Sequence, residues 1–150
     1  MDFWRCGVAG WCLEVMFTSV DSILAGDFRL MGHTSLLMFP IYGLGAFAAP
    51  TAQFLDQWLS GLPGFEGAGT EAIPPLGRLI RHGLIYMVLI FTVEYVMGTC
   101  FKWLGICPWD YSMWPDQING VIRLRFAPLW FATGLLFERI TTGSIWKRSG

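Results

Sequence analysis

Leu79-Ile-Arg-His-Gly-Leu-Ile-Tyr-Met-Val-Leu-Ile-Phe-Thr-Val-Glu-Tyr-Val-Met-Gly-Thr-Cys-Phe-Lys-Trp-Leu104 is an apolar run of spanning length. A helix that crosses a bilayer needs about 20 largely apolar residues. Glu94 interrupts the run, and a carboxyl in such a helix is costly wherever it meets lipid. The arrangement occurs twice. Glu14-Val-Met-Phe-Thr18 echoes Glu94-Tyr-Val-Met-Gly-Thr99. Each is followed by a segment that opens on a glycine eight positions before a proline: Gly32-His-Thr-Ser-Leu-Leu-Met-Phe-Pro40 and Gly120-Val-Ile-Arg-Leu-Arg-Phe-Ala-Pro128. The pattern predicts an all-α integral membrane protein whose four transmembrane helices form by duplication of a two-helix hairpin, with one buried carboxyl in each hairpin.

Working outward, four segments reach spanning length: about Phe3–Leu24, Ser35–Leu59, Leu79–Leu104 and Val121–Ile140. Pro40 is expected in the first turns of the second span and Pro50 is expected to kink it, since neighbouring helices can satisfy the freed carbonyls. Residues 1–150 then read as a single membrane domain. Repeat one covers about 3–59 and repeat two about 79–140, with a Gly/Pro-rich linker at 60–78 and a basic tail at 141–150. The N-terminal apolar run lacks a basic leader and a small-x-small cleavage site, so it reads as the first span.

Composition agrees. The chain is 54% apolar, 16% aromatic and 14% charged, with mean hydropathy +0.50. An ordinary globular domain carries roughly 25% charged residues. The net charge of -1 provides no field to attract nucleic acid. Cys6, Cys12, Cys100 and Cys107 form no C-x-x-C pair and read as small apolar side chains. No metal or cofactor is expected.

Six of the Lys and Arg residues (Arg5, Arg78, Arg81, Arg139, Lys147, Arg148) fall on the side of the termini and linker. Four (Arg29, Lys102, Arg123, Arg125) fall on the other. The positive-inside rule places both termini of this multi-pass protein in the cytoplasm. Two helices per repeat imply repeats related by an axis along the membrane normal. The spacing from Glu94 to Gly120 is 26 positions, against 18 from Glu14 to Gly32. The excess lies around Cys107-Pro-Trp-Asp-Tyr-Ser112, a lid-like loop opposite the termini.

Glu14 and Glu94 are the leading candidate binding residues. At 1.5 Å per residue both fall roughly 16–20 Å into their helices, near the middle of the bilayer. Each continues a stripe of small or polar residues: Cys6, Gly10, Glu14 and Thr18 in one helix, Glu94, Gly98 and Lys102 in the other. Such acids either bind a cationic substrate, a proton or a headgroup, or serve as polar glue between helices. Arg123 and Arg125 are their expected counter-charges, with Arg125 reaching toward Glu94. Trp109, Asp110 and Tyr111 are expected at the mouth, as an aromatic anchor or as a cap in which Asp110 holds an arginine or a ligand. Asn119-Gly120 reads as a turn. Gly43 and Gly45 permit close helix approach, His33 and His82 read as interfacial, and Glu138-Arg139 as a charge pair at the cytoplasmic edge. P-loop, H-E-x-x-H and G-x-S-x-G motifs are absent.

Gly10-Trp-Cys-Leu-Glu-Val-Met-Phe-Thr18, Phe39-Pro-Ile-Tyr-Gly43, Glu94-Tyr-Val-Met-Gly98 and Cys107-Pro-Trp-Asp-Tyr-Ser112 together resemble a bacterial ABC-transporter permease family, the one with the CmpB-type label. The likeness runs from about Gly10 to Arg139, and the vertebrate transmembrane protein 229 group is distantly similar. The resemblance implies a permease-like or transport-associated subunit and carries no catalytic residue. From the residues themselves the expectation is a polar intramembrane cavity between the repeats. Membrane lipids, further copies of the chain or other membrane subunits are the expected partners; an ATPase partner is allowed by the family label alone. A structural or accessory subunit of a larger complex is the alternative reading, and a lipid-processing enzyme a third.

Overall fold

A computed structural model of the chain describes residues 2–24, 26–61 and 75–143. Most of the expected linker (62–74) and of the basic tail (144–150) lies outside the described residues. The described elements are α1 (Asp2–Leu24), α2 (Met38–Gly43), α3 (Ala48–Ser60), α4 (Pro75–Leu104), the two-residue strands β1 (Gln117–Ile118) and β2 (Ile122–Arg123), and α5 (Ala127–Thr142). The protein is all-α apart from that small antiparallel ribbon. The chain divides into two compact units, residues 1–46 and residues 47–150.

The two carboxyl-bearing helices run for the expected lengths, 23 residues in α1 and 30 in α4. Both stop the same way. Gly26 (φ 82°) and Gly105 (φ 70°) turn left-handed, and the amides of Asp27 and Ile106 reach back to the Ser22 and Phe101 carbonyls at 2.9 Å each. Glycine adopts this conformation without a Cβ penalty, and the back-bonding satisfies carbonyls that the helix leaves orphaned.

The expected second span is not one helix. Helical turns begin at Met38 rather than Ser35, and a 3-10 turn at Leu44–Phe47 separates α2 from α3. Pro40 sits inside α2 and Pro50 in the first turn of α3, so two missing amides bracket the place where the hydrogen-bond pattern changes. The expected fourth span also begins late. Residues 122–123 pair with 117–118 and Leu124–Phe126 form a 3-10 turn, so α5 starts only at Ala127, with Pro128 in its first turn. Proline there is preorganised for a helix start and loses no bond. At 16 residues α5 is about 24 Å long.

In the first unit α1 packs on α2 through glycines. A Cβ at Gly7 would press on the Phe39 ring, one at Gly10 would overlap Tyr42, and one at Gly43 would meet the Phe3 ring. Phe39 is also ringed by Trp11 at 4.9 Å and Trp4 at 5.2 Å. In the second unit α3, α4 and α5 pack together. Gly83 admits the Phe131 ring and Gly134 admits Tyr86, which is 1% exposed. The buried apolar residues of this unit are Ala49, Ala52, Tyr86, Val121, Ile122, Phe126 and Phe137.

Residues Leu76–Leu104 of α4 are long and apolar enough to cross a membrane, the one such helix among the described residues. Only 17% of its apolar window is buried within the protein. A helix from the core of a soluble domain would be mostly covered, whereas Leu84, Val88, Val96 and Trp103 of α4 face outward. Those side chains find their apolar surroundings in lipid.

Candidate functional site

Glu14 lies on the face of α1 against which residues 31–35 run as a non-helical segment. Four side chains of that face hold the segment: the Trp11 indole donates to the Ser35 carbonyl at 3.0 Å, Glu14 takes the Thr34 hydroxyl at 2.8 Å, and Ser22 Oγ donates to the Met31 carbonyl at 2.8 Å. Thr18 Oγ1 accepts the His33 amide at 2.8 Å and lies 3.0 Å from the His33 carbonyl. Positions 11, 14, 18 and 22 share one helix face because three- and four-residue steps return to it. The Tyr42 hydroxyl bonds the Glu14 carboxyl as well, from a ring seated against Gly10. Two hydroxyls thus converge on one carboxyl. The arginines of this unit are engaged elsewhere, Arg5 with Asp2 at 3.8 Å and Arg29 with Asp27 at 2.9 Å.

Glu94, 9% exposed, is buried deeper. Its Oε2 accepts a hydrogen bond from Trp130 Nε1 of α5 at 3.1 Å. One turn further on, Gly98 lets Val121 and the Trp109 ring approach the helix. Tyr42 and Trp130, the partners that charge complementarity does not find, each stand two positions after a proline that ends one of the repeated motifs. That shared offset was the available signal.

The remaining candidates gather around the loop after α4. Trp109 Nε1 donates to the Val121 carbonyl at 3.0 Å, and the Tyr111 amide to the Gly120 carbonyl at 2.9 Å. Asp110 Oδ1 takes Ser112 Oγ at 2.6 Å, the Ser112 amide at 3.0 Å and Lys102 Nζ at 2.9 Å. Ser112 first and Lys102 second pull this exposed carboxyl down to about 2. Its cationic partner is the lysine of the carboxyl helix. Asn119 (φ 51°) and Gly120 (φ 67°) make the expected turn, closed by the Val121 amide on the Ile118 carbonyl at 3.0 Å. Two successive left-handed residues are the signature of a tight hairpin turn. Arg123 is buried, its guanidinium 3.7 Å from the Trp114 ring centroid and Nε 3.6 Å from Asp116. Arg125 is exposed, and its backbone amide donates to Asp116 Oδ2 at 3.2 Å.

A second polar group occupies the packed faces of α3, α4 and α5. Glu138 is 2% exposed and its Oε1 lies 3.3 Å from His82 Nδ1, with Tyr86 alongside. The expected surface pair of Glu138 with Arg139 is therefore corrected: positions 134, 137 and 138 form the inward face of α5, while Arg139 is exposed. His82, read from sequence as interfacial, is buried for the same reason. Asp56 pairs with Arg81 Nε at 2.5 Å, and Arg81 also donates to Ser60 Oγ at 2.9 Å. Among the described residues no group of three or more His, Cys, Asp or Glu side chains is placed to hold a metal ion.

An outward-facing apolar helix of spanning length, with an acid in the middle of it, marks a membrane protein. The chain belongs to the family described as "Putative ABC-transporter type IV", whose model matches residues 1–148. No solved structure matches the chain.

Proposed function

We propose that the chain is a transport-associated, multi-pass subunit of the bacterial inner membrane. Its working groups are the two carboxyls, Glu14 and Glu94, each held by donors from the segment that follows its helix. The family supports the transport association, and the observation that carries the reading is a shared register of contacts. Phe3 against Gly43 corresponds to Gly83 against Phe131, and Glu14 with Tyr42 to Glu94 with Trp130. Thr18 with His33 corresponds to Gly98 with Val121, and Ser22 Oγ on the Met31 carbonyl to Lys102 Nζ on the Asn119 carbonyl. Each pair moves by 80 positions in the carboxyl helix and by 88 in the segment after it. Unrelated hairpins have no reason to repeat one register four times. This supports a duplicated four-span architecture with an acid at the same rung of each copy; the placing of both termini in the cytoplasm rests on the distribution of Lys and Arg alone.

The test is genetic. A strain lacking the protein is screened for a solute whose uptake or efflux falls, and plasmid copies are scored for rescue. Wild type restores the flux, while Glu14→Gln and Glu94→Gln do not, although both reach the membrane at normal levels. Full rescue by both variants refutes the reading. A second reading, an accessory subunit that packs on another membrane protein or on further copies of itself, is favoured by the outward apolar face of α4. It predicts rescue by both Gln variants and loss on charging that face, for instance with Val88→Lys.

A further inference from the structure

We propose that Glu14, Thr34 and Tyr42 form a binding site for a small monovalent cation of the sodium class. Three oxygen-bearing side chains meet there: Glu14 Oε2 is 2.8 Å from Thr34 Oγ1, and the Tyr42 hydroxyl bonds the same carboxyl. Both hydroxyls bond the carboxyl, and each keeps lone pairs for a cation. The two arginines of its unit, Arg5 and Arg29, are paired with Asp2 and Asp27. A carboxylate inside a membrane segment demands a counter-charge.

The chemistry of the donors selects the ion. Carboxylate and hydroxyl oxygens, with no thiolate or imidazole among them, favour a hard cation. One carboxylate balances a single positive charge, whereas calcium sites draw on several. Tyr42 is not placed there by chance, since its ring fills the room left by Gly10. The corresponding place in the second unit sharpens the inference. By the shared register Ile122 stands for Thr34 and Trp130 for Tyr42. An isoleucine carries no oxygen, and an indole N–H can only donate. Glu94 keeps a hydrogen-bond partner but loses the set of oxygens, so the cation belongs to the first unit alone. The proposal builds on the transport reading only for what the ion would do, as a coupling ion; its binding stands independently.

Equilibrium binding of radioactive sodium to the full chain in lipid nanodiscs, in N-methylglucamine buffer, tests it. Saturable binding of one ion per chain is expected, with affinity reduced at least tenfold in Glu14→Gln and several-fold in Thr34→Val and Tyr42→Phe. Tyr42→Phe preserves the ring against Gly10, so it keeps the test valid should Glu14→Gln misfold. Absence of saturable sodium binding, binding unaltered in both Glu14→Gln and Tyr42→Phe, or calcium displacing sodium at equal concentration overturns the proposal. Sodium binding that persists while both Gln variants restore solute flux would refute the transport reading and leave the site standing.

Discussion

The carboxyl of the first unit is wrapped by hydroxyls and by a backbone segment stitched to its helix, whereas that of the second meets a single indole in a tightly packed interior. Thr18 and Ser22 bond backbone where Gly98 and Lys102 stand in the second copy. Gly98 replaces a hydrogen bond with the close approach of Val121 and Trp109, and Lys102 extends the contact to Asp110. The Thr18 rung, a polar bond in one unit, thus becomes a packing contact at Gly98 in the other, while the Ser22 rung stays polar at Lys102, whose Nζ reaches the Asn119 carbonyl. Helices in lipid have both means available, since small residues permit close contact and hydroxyls bond across the gap.

The contrast can be broken most severely in the second unit. Removing one member of the Asp56–Arg81 pair, with Arg81→Met, takes a cation away from a buried carboxylate; about 3–5 kcal/mol of stability should be lost. Unfolding in mixed micelles by SDS titration measures it. Gly134→Ala places a methyl on Tyr86 Cβ, and about 1–3 kcal/mol should go by the same assay, the range for overpacking a filled interior. An exchange test sharpens the comparison, because the phenylalanine lies on the carboxyl helix in one unit and on the following helix in the other. Gly43→Phe alone should destabilise, and adding Phe3→Gly should recover part of the loss, with a coupling of about 0.5–3 kcal/mol. Full additivity of the two changes would mean that the rung is not shared.

Smaller effects separate the two kinds of rung. Thr18→Val removes a hydroxyl that takes the His33 amide and should cost about 0.5–1.5 kcal/mol, with faster hydrogen exchange at His33. The smallest effect concerns the loop of the second unit. The Asp110 carboxyl is held below its ordinary value, so its contribution is complete above about pH 4 and disappears as pH falls through about 2. The Ser112 amide resonance, bonded to Asp110 Oδ1, should follow that window and should move upward in pH in Lys102→Met.

Much of this was legible in the residues. α1 and α4 announce themselves by length and apolarity, Asn119-Gly120 by turn chemistry, and the acids by their contrast with what surrounds them. Helix starts were harder to read. Val121-Ile-Arg-Leu-Arg-Phe126 continues without a break into the apolar run of α5, and a short buried strand and a helix end look alike until pairing is known. Partners were hardest of all. Seeking a cation for each acid points to arginines, yet Arg123 is stacked on Trp114 and Arg125 is exposed, while neutral O–H and N–H groups supply the bonds on the carboxyls. The pairing of Glu138 with His82 was not legible because inward orientation at a helix end depends on the neighbouring helix, which sequence alone does not place.

The stitching of residues 31–35 to α1 has an evolutionary corollary. Trp11, Thr18 and Ser22 grip main-chain atoms, and any residue but proline offers those. Substitutions at Met31 and His33, both exposed, should therefore be nearly silent in a saturation mutagenesis screen, while changes at the three gripping positions are purged. One strand is free to drift; the helix that reads it is not.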